Sequence, residues 1–401
     1  MHLAILASHA YEGLRGRQQQ IALGLAARGH QVFYVEPFLL NEAGAGIEWR
    51  GLDSREEAPG LRVLGLRHPT EVTATVELSR SGLERWSRQV RGLLEGMIRG
   101  DSFGSSETTA PRLASFDLAL IYAPVLIEPA REALSVPVVF DCEEDFPATA
   151  SSRALADVYT EALNQGLPLS DGLLAVNRYL VESWGRLLPA GAPRAVVEHG
   201  ADLDLFRPPD AESRRAARQA LAIPPAAKAA AYVGRFDARI SFEDLRSLFD
   251  QNSSLLFLLL GEINDEGRAI LERLPPERVI VRGPLPQERV AQLLSAADLI
   301  LIPLRREPHL EPLRGLTLYE YLATGLPVVG TFRRATKAFR DLLYLYATQE
   351  ELSAALQSAL AESPEAPVRA QRIERAREAA WAHRVEAVES FLKHVLATAV
   401  I

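Results

Sequence analysis

"AAYVGRFDARISFEDLRSLFDQNSSLLFLLLG", residues 230–261, decides how the rest of the chain is read. Two short apolar runs, 230–235 and 255–261, flank a stretch that reads as helix. Both runs are apolar at consecutive positions rather than alternate ones. A strand with that pattern is buried on both faces. Strand, helix and strand in that order mean a parallel pair with a crossover helix. Outward from this unit the rhythm continues at "VIVRG" (279–283), "LILIP" (299–303), "LPVVG" (326–330) and "LLYLYA" (342–347). The first half repeats it at "LAILAS" (3–8), "QVFYVEP" (31–37), "LRVLGL" (61–66), "FDLALIY" (116–122), "VPVVFDC" (136–142), "GLLAVN" (172–177) and "RAVVEHG" (194–200). Residues 17–28 and 151–166 read as helices between them. The expectation is an α/β protein with two doubly wound parallel-sheet (Rossmann-like) domains facing a cleft. In such sheets ligands lie beyond the carboxyl ends of the strands, and a cleft between two of them is the natural site.

The rhythm pauses at "FRPPDAESRRAARQALAIPPAAKAA", which has two Pro-Pro pairs and reads as the connection, with one short helix inside. This divides the chain into 1–207, 208–380 and a terminal helix, 381–401, expected to cross back to the first domain. Residues 41–60 and 101–115 are polar and read as loops. The chain has 401 residues, too many for one ordinary core. Its 48% hydrophobic and 24% charged residues describe a globular protein, not a disordered one. A net charge of −8 argues against nonspecific nucleic-acid binding. The single cysteine, Cys142, excludes an intrachain disulfide and suits a reducing compartment. The start lacks a signal peptide's basic region, and "LALIYAPVLI" is too short to span a membrane. A cytoplasmic protein is expected. Leu83, Trp86, Val90, Leu93 and Met97 form an apolar stripe, which packs on its own domain or rests peripherally on the inner face of a membrane.

Four stretches carry chemistry. In "ASHAYEGLRGRQQQ", Gly13 and Gly16 shape a loop before a helix starting near Arg17, either an anion cradle or a plain turn. In "VVFDCEEDFPA", Asp141, Glu143, Glu144 and Asp145 crowd a strand end, as a general base would require or as a solvated helix cap. Arg235 and Arg239 follow the strand at 230–235 without an obvious carboxylate partner, which suits a diphosphate. Pairing with Asp237 or Glu243 is the alternative. In "PLRGLTLYEYLATGLPVVGT" (312–331) a helix begins near Leu316, and its free N–H groups suit phosphate. Glu320, one turn in, either accepts two sugar hydroxyls or only complements the helix dipole.

In this order, "RGRQQQIALGLAARGHQVFYVEP", "VVFDCEEDFPA", "SDGLLAVNRYLVESW", "VVEHGADLDLFRP", "VGRFDARISFEDL", "ADLILIPLRR" and "LTLYEYLATGLPVVGT" resemble the GT-B glycosyltransferases of the group 1, family 4-like kind. The chain is similar to bacterial exopolysaccharide and teichuronic-acid glycosyltransferases. The resemblance implies transfer of a sugar from a nucleotide diphosphate sugar, UDP-linked by preference, to a sugar or lipid-linked hydroxyl acceptor. It implies no resident cofactor or metal. It places the donor's base near Gly283, Pro284 and Leu285, and the ribose on Glu320. The diphosphate falls to Arg314, Gly315, Leu316 and Thr317 with Arg235 and Arg239. The acceptor falls to His9, Tyr11, Gly13 and Arg17, and Asp145 takes the place of a catalytic base. Three positions depart from the family. Pro312 stands where an acid is usual, Thr317 where a lysine is, and His199 where an asparagine is. The departures keep two alternatives open: a catalytically degenerate GT-B binding subunit, and a nucleotide-sugar epimerase.

Overall fold

The computed structural model describes residues 1–12, 15–36, 52–66, 88, 90–92, 94–96, 116–150, 152–306, 316–333 and 336–399. The chain divides into two compact units, Met1–Glu198 with Trp381–Ile401, and His199–Ala380.

The first unit holds β1 (His2–Leu6), β2 (Gln31–Val35), β3 (Leu52–Ala58), β4 (Leu61–Leu66), β5 (Leu118–Ile121), β6 (Val138–Cys142), β7 (Gly172–Ala175) and β8 (Arg194–Val196). They form one sheet in the order β3-β4-β2-β1-β5-β6-β7-β8. Only β3 and β4 pair antiparallel. Winding runs outward from β1 in both directions, so the switch point lies between β1 and β5. The second unit holds β9 (Lys228–Val233), β10 (Leu255–Leu260), β11 (Val279–Arg282), β12 (Leu299–Ile302), β13 (Val328–Thr331) and β14 (Tyr344–Tyr346). Their order, β11-β10-β9-β12-β13-β14, is doubly wound about β9 and β12.

The consecutive apolar residues behave as two-sided burial requires. In the second unit, Ala229, Ala231, Leu258, Leu260, Ile300 and Val328 enter one core cluster. Ala230, Tyr232, Phe257, Leu259, Leu299 and Val329 enter another. Neighbouring residues thus go to opposite faces of one sheet, and both faces are covered. The Pro-rich stretch lies within this unit: Phe206, Ala217, Leu221 and Ile223 are core residues.

One expectation needs correction. Residues 41–60 do not all form a loop, since Leu52–Ala58 is strand β3. Its sequence, "LDSREEA", lacks an apolar run because it is an edge strand. Pairing with β4 in register, with an irregularity between Glu56 and Ala58, supplies the order. The stripe at 83–98 is not free for a membrane at Val90, which packs with Leu94 in the first unit's core. Leu83, Trp86, Leu93 and Met97 lie outside the described residues. Among the described residues no helix is long and apolar enough to cross a membrane.

The strand ends of the second unit are crowded by main chain. Gly261 and Gly283 follow β10 and β11 with φ of +152° and +138°. A Cβ on Gly283 would lie 2.5 Å from the Gly261 carbonyl oxygen, and one on Gly261 would overlap the carbonyl of Gly234. Both the backbone region and the close approach exclude a side chain.

The helix Trp381–Ala399 clusters with the first unit. Val385 occupies the space where a Cβ on Gly24 would sit. Glu389 anchors the helix: its carboxylate meets Lys393 at 2.7 Å, His30 at 2.9 Å and Arg28 at 2.5 Å. The Lys393 ammonium, then His30 and Arg28, hold the Glu389 carboxyl down at about 2 against the opposing effect of burial. A depressed carboxyl contributes stability above its unfolded pKa and loses it as pH falls through the folded one. Glu389→Gln is therefore expected to lower stability at pH 7 by about 1–3 kcal/mol. It should also remove part of the loss of stability that the wild type shows between pH 4.5 and 2. Thermal unfolding across that range measures both.

Candidate functional site

Two polar clusters stand out, one at the strand ends of each unit. In the first unit, the chain after β1 and β6 meets the start of the helix Arg17–Ala27. Arg17 Nε donates to Asp141 Oδ2 at 2.9 Å, and both side chains are fully buried. Its Nη1 donates to the carbonyls of Val197 and Glu198. Burial opposes the Arg17 charge, but the Asp141 carboxylate more than offsets it and holds the guanidinium above its usual range. Among the described residues, the buried Arg17 Nη2, Asp141 Oδ1 and Tyr122 hydroxyl have no hydrogen-bond partner.

Beside this pair lies Glu143, whose Oε1 accepts from Gln18 Nε2 at 2.8 Å. Gln18 is itself clamped by Ser8, whose N–H donates to Gln18 Oε1 at 2.9 Å and whose hydroxyl accepts from Nε2 at 2.6 Å. His9 Nδ1 is 3.1 Å from the same Nε2. Burial, then the Asp141 charge, pushes the Glu143 carboxyl up to about 7. It remains partly exposed, so it can exchange a proton near neutral pH.

Asp145 is placed differently. It precedes the short helix Phe146–Thr149, and its Oδ2 accepts from the Tyr179 hydroxyl at 3.1 Å. His9 is exposed, whereas Tyr11 is buried edge-on against Tyr34. Arg17 is a correction. Expected to reach an acceptor, it has no exposed side-chain surface, because an unpaired Asp141 at that depth would be costly. Gly13 lies outside the described residues.

In the second unit, the loops after β9 and β12 meet at the switch point, where Arg305 N–H donates to the Arg239 carbonyl at 2.8 Å. For Arg235 and Arg239 the structure shows the alternative, pairing with carboxylates, with Glu262 in place of Glu243. Arg235 pairs with Glu262 at 3.2 Å, and Arg239 with Asp237 at 2.8 Å. The tight turn after β9 brings Asp237 back onto Arg239, and Glu262 arrives from the end of the neighbouring β10. Both guanidiniums remain about half exposed, and surface pairs of this kind are weak enough to exchange for a phosphate.

Glu320 lies on the helix Leu316–Ala323, of which Leu316 and Thr317 are the first residues. Its side chain is buried, and Oε1 accepts from Gln287 Nε2 at 2.7 Å. Burial, then the charge of Asp202, pushes its carboxyl up to about 8. The loop Gly283–Pro284–Leu285 leads from β11 directly to Gln287, the first residue of the helix Gln287–Leu294. Arg314 and Gly315 lie outside the described residues. Gln18, Gln287 and Asp202 were not legible as site residues. "RQQQ" and "PLPQERV" carry no spacing that singles out one glutamine.

Residues 213–379 match the family described as "Glycosyl transferases group 1". TuaH of Bacillus subtilis (strain 168), described as a teichuronic acid biosynthesis glycosyltransferase, is 25% identical over 224 residues. The aligned segment spans 52% of this chain and 54% of that relative. Among solved structures, sucrose-phosphate synthase from Thermosynechococcus elongatus has a TM-score of 0.75 at 18% identity, covering 99% of this chain and 100% of its own. A trehalose-6-phosphate structure from E. coli bound with UDP-2-fluoro glucose has a TM-score of 0.70 at 13% identity, over 99% of each chain. At these identities the structures establish the fold alone. The family match falls within the second unit, and the chain as a whole has the two-domain GT-B fold of those structures.

Proposed function

We propose that the chain transfers a sugar from a nucleoside diphosphate sugar to a hydroxyl acceptor. The observation that carries this is the buried Glu320, set against Gln287 within the segment that matches the family. A carboxylate at that depth, one turn into a helix that follows a strand end, suits the two hydroxyls of a ribose. Arg235 and Arg239, each displaceable from its acid, suit the diphosphate with the first turn of the helix at Leu316 and Thr317. The UDP-2-fluoro glucose bound to the E. coli relative favours a UDP-sugar. The acceptor hydroxyl attacks the anomeric carbon, the bond to the diphosphate breaks, and the nucleoside diphosphate leaves with that electron pair. The reading requires no resident cofactor.

The hydroxyl proton goes to a carboxylate of the first unit. Asp145 is the expected one, but Glu143 is better matched: its carboxyl is pushed up to about 7, whereas Asp145 is engaged by Tyr179. A base must be ionised, so the rate falls as pH drops below about 7. Glu143→Gln is expected to lower kcat by about 10²–10⁴-fold and to abolish that acid limb. Asp145→Asn should cost less than about tenfold if Glu143 is the base. The reverse pattern, read from initial rates between pH 5 and 9, would return the role to Asp145.

The function itself is tested by a donor screen with UDP-, GDP- and TDP-sugars, with calorimetry and product analysis. Transfer to an added acceptor supports the reading. Conversion of donor alone to an isomeric sugar nucleotide points to an epimerase. Absence of affinity for every nucleoside diphosphate points to a binding subunit.

A further inference from the structure

The ladder between β9 and β12 stops short of the strand ends. Ala230 pairs with Leu299 and Ala231 with Ile300, and among the described residues the two strands pair no further. On its other side β9 stays paired with β10 as far as Val233 and Leu260. Gly234 N–H donates to the Leu260 carbonyl at 3.0 Å, so Val233, one residue earlier, directs its own N–H and C=O towards β12. The register would set Ile302 opposite Val233, and the rung to the Val233 carbonyl would then come from the N–H of residue 303. That residue is Pro303, which has no N–H.

Tyr321 supplies both halves of the missing rung. Its hydroxyl accepts from Val233 N–H at 3.1 Å and donates to the Val233 carbonyl at 2.8 Å. The side chain is buried and comes from the helix Leu316–Ala323. An apolar ring would fill the same space but leave two main-chain groups unmet. The loop that leaves β9 is thereby fixed at both ends. Tyr321 holds its start at Val233. At its far end the Arg239 carbonyl accepts from Arg305 N–H at 2.8 Å, and Ile240 bridges to Leu304. Arg235 and Arg239 lie on this loop, and Tyr321 ties it to the helix that carries Glu320.

We propose that Tyr321 is a positioning residue for the diphosphate. Its hydroxyl, standing in for a β-ladder rung, keeps the ends of β9 and β12 apart at the switch point and sets the Arg235–Arg239 loop at a fixed place relative to the helix Leu316–Ala323. It acts through the main chain of Val233 and does not touch the ligand. This rests on the donor-binding reading above, and adds to it a residue that binds nothing itself.

Calorimetry on the full chain with UDP and with uridine, which lacks the diphosphate, tests it. The wild type is expected to bind UDP about 100-fold more tightly than uridine, the contribution of charged hydrogen bonds to the phosphates. Tyr321→Phe keeps the ring and removes only the hydroxyl. It should weaken UDP about tenfold and uridine less than about twofold, so that the ratio narrows to about tenfold. A purely structural effect would weaken both ligands equally and leave the ratio unchanged, which overturns the proposal. Should Tyr321→Phe fail to fold, Pro303→Ala carries the test from the other strand. It gives β12 the missing N–H, which competes with Tyr321 for the Val233 carbonyl, and should also narrow the ratio; an unchanged ratio again overturns the proposal. A wild type that binds uridine as tightly as UDP overturns it without any variant. A wild type that binds neither removes the donor-binding reading itself, whereas a wild type with the expected preference and a variant that keeps it removes only the role of Tyr321.

Discussion

Replacing Glu320 by alanine is expected to weaken nucleoside diphosphate binding by about 10–100-fold, the loss of a charged hydrogen-bond acceptor at a buried site. The pH dependence is the sharper signature. The Glu320 carboxyl is pushed up to about 8, chiefly by burial, so at pH 7 it is mostly protonated. Two ribose hydroxyls are donors and favour the ionised form. Binding below pH 8 must therefore release a proton, and affinity should rise by up to about tenfold per pH unit towards pH 8 and level off above it. Glu320→Gln removes the titration and should flatten the profile. The stability effect runs the other way. The folded protein keeps this proton from about pH 4.5, where the unfolded chain loses it, up to about pH 8, so stability from this group falls as pH rises through that window. Above pH 8 the Gln variant should melt higher than the wild type while binding UDP worse. Unchanged UDP affinity and an unchanged pH profile in both variants would sink the ribose assignment.

The largest expected effect on stability comes from Arg17. Its partner Asp141 has no exposed side-chain surface and receives the ion pair at 2.9 Å. Arg17→Met leaves that carboxylate uncompensated, and breaking such a buried pair costs about 3–5 kcal/mol. The double variant Arg17→Met with Asp141→Leu should recover most of the loss, because it removes the stranded charge together with its partner. Urea unfolding of the full chain, followed by its earliest transition, measures this coupling. A loss below about 1 kcal/mol for Arg17→Met would mean that solvent reaches Asp141. The pair also bears on chemistry. The Asp141 charge helps raise Glu143, and Arg17 lowers it. With Arg17 removed, the acid limb of the rate should move to higher pH.

Each apolar run read as a strand contains one. The reason is local: a strand buried on both faces must be apolar at every position, and no polar segment imitates that. β3 escaped because an edge strand carries no such constraint. Its polar "LDSREEA" is ordered by its partner rather than by its own composition. The acids of "VVFDCEEDFPA" were legible as a group. Which one titrates near neutrality was not, because Glu143 and Asp145 differ only in what the fold packs beside them. Asp237 was legible as a partner of Arg239, but Glu262 was not legible as the partner of Arg235, because it lies just past the end of the neighbouring β10 and comes near only in the folded sheet.

Composition and periodicity by themselves determined the α/β class and the two doubly wound sheets, since these depend on which residues leave water, and the ordered motifs carried the family resemblance. The tertiary structure alone decided the roles of single polar residues. It buried Arg17 against Asp141, raised Glu143 and Glu320, and set Gln287 beside Glu320. A polar side chain takes its proton affinity and its partners from groups distant in sequence, and in a low-dielectric interior those neighbours outweigh the residue's own chemistry.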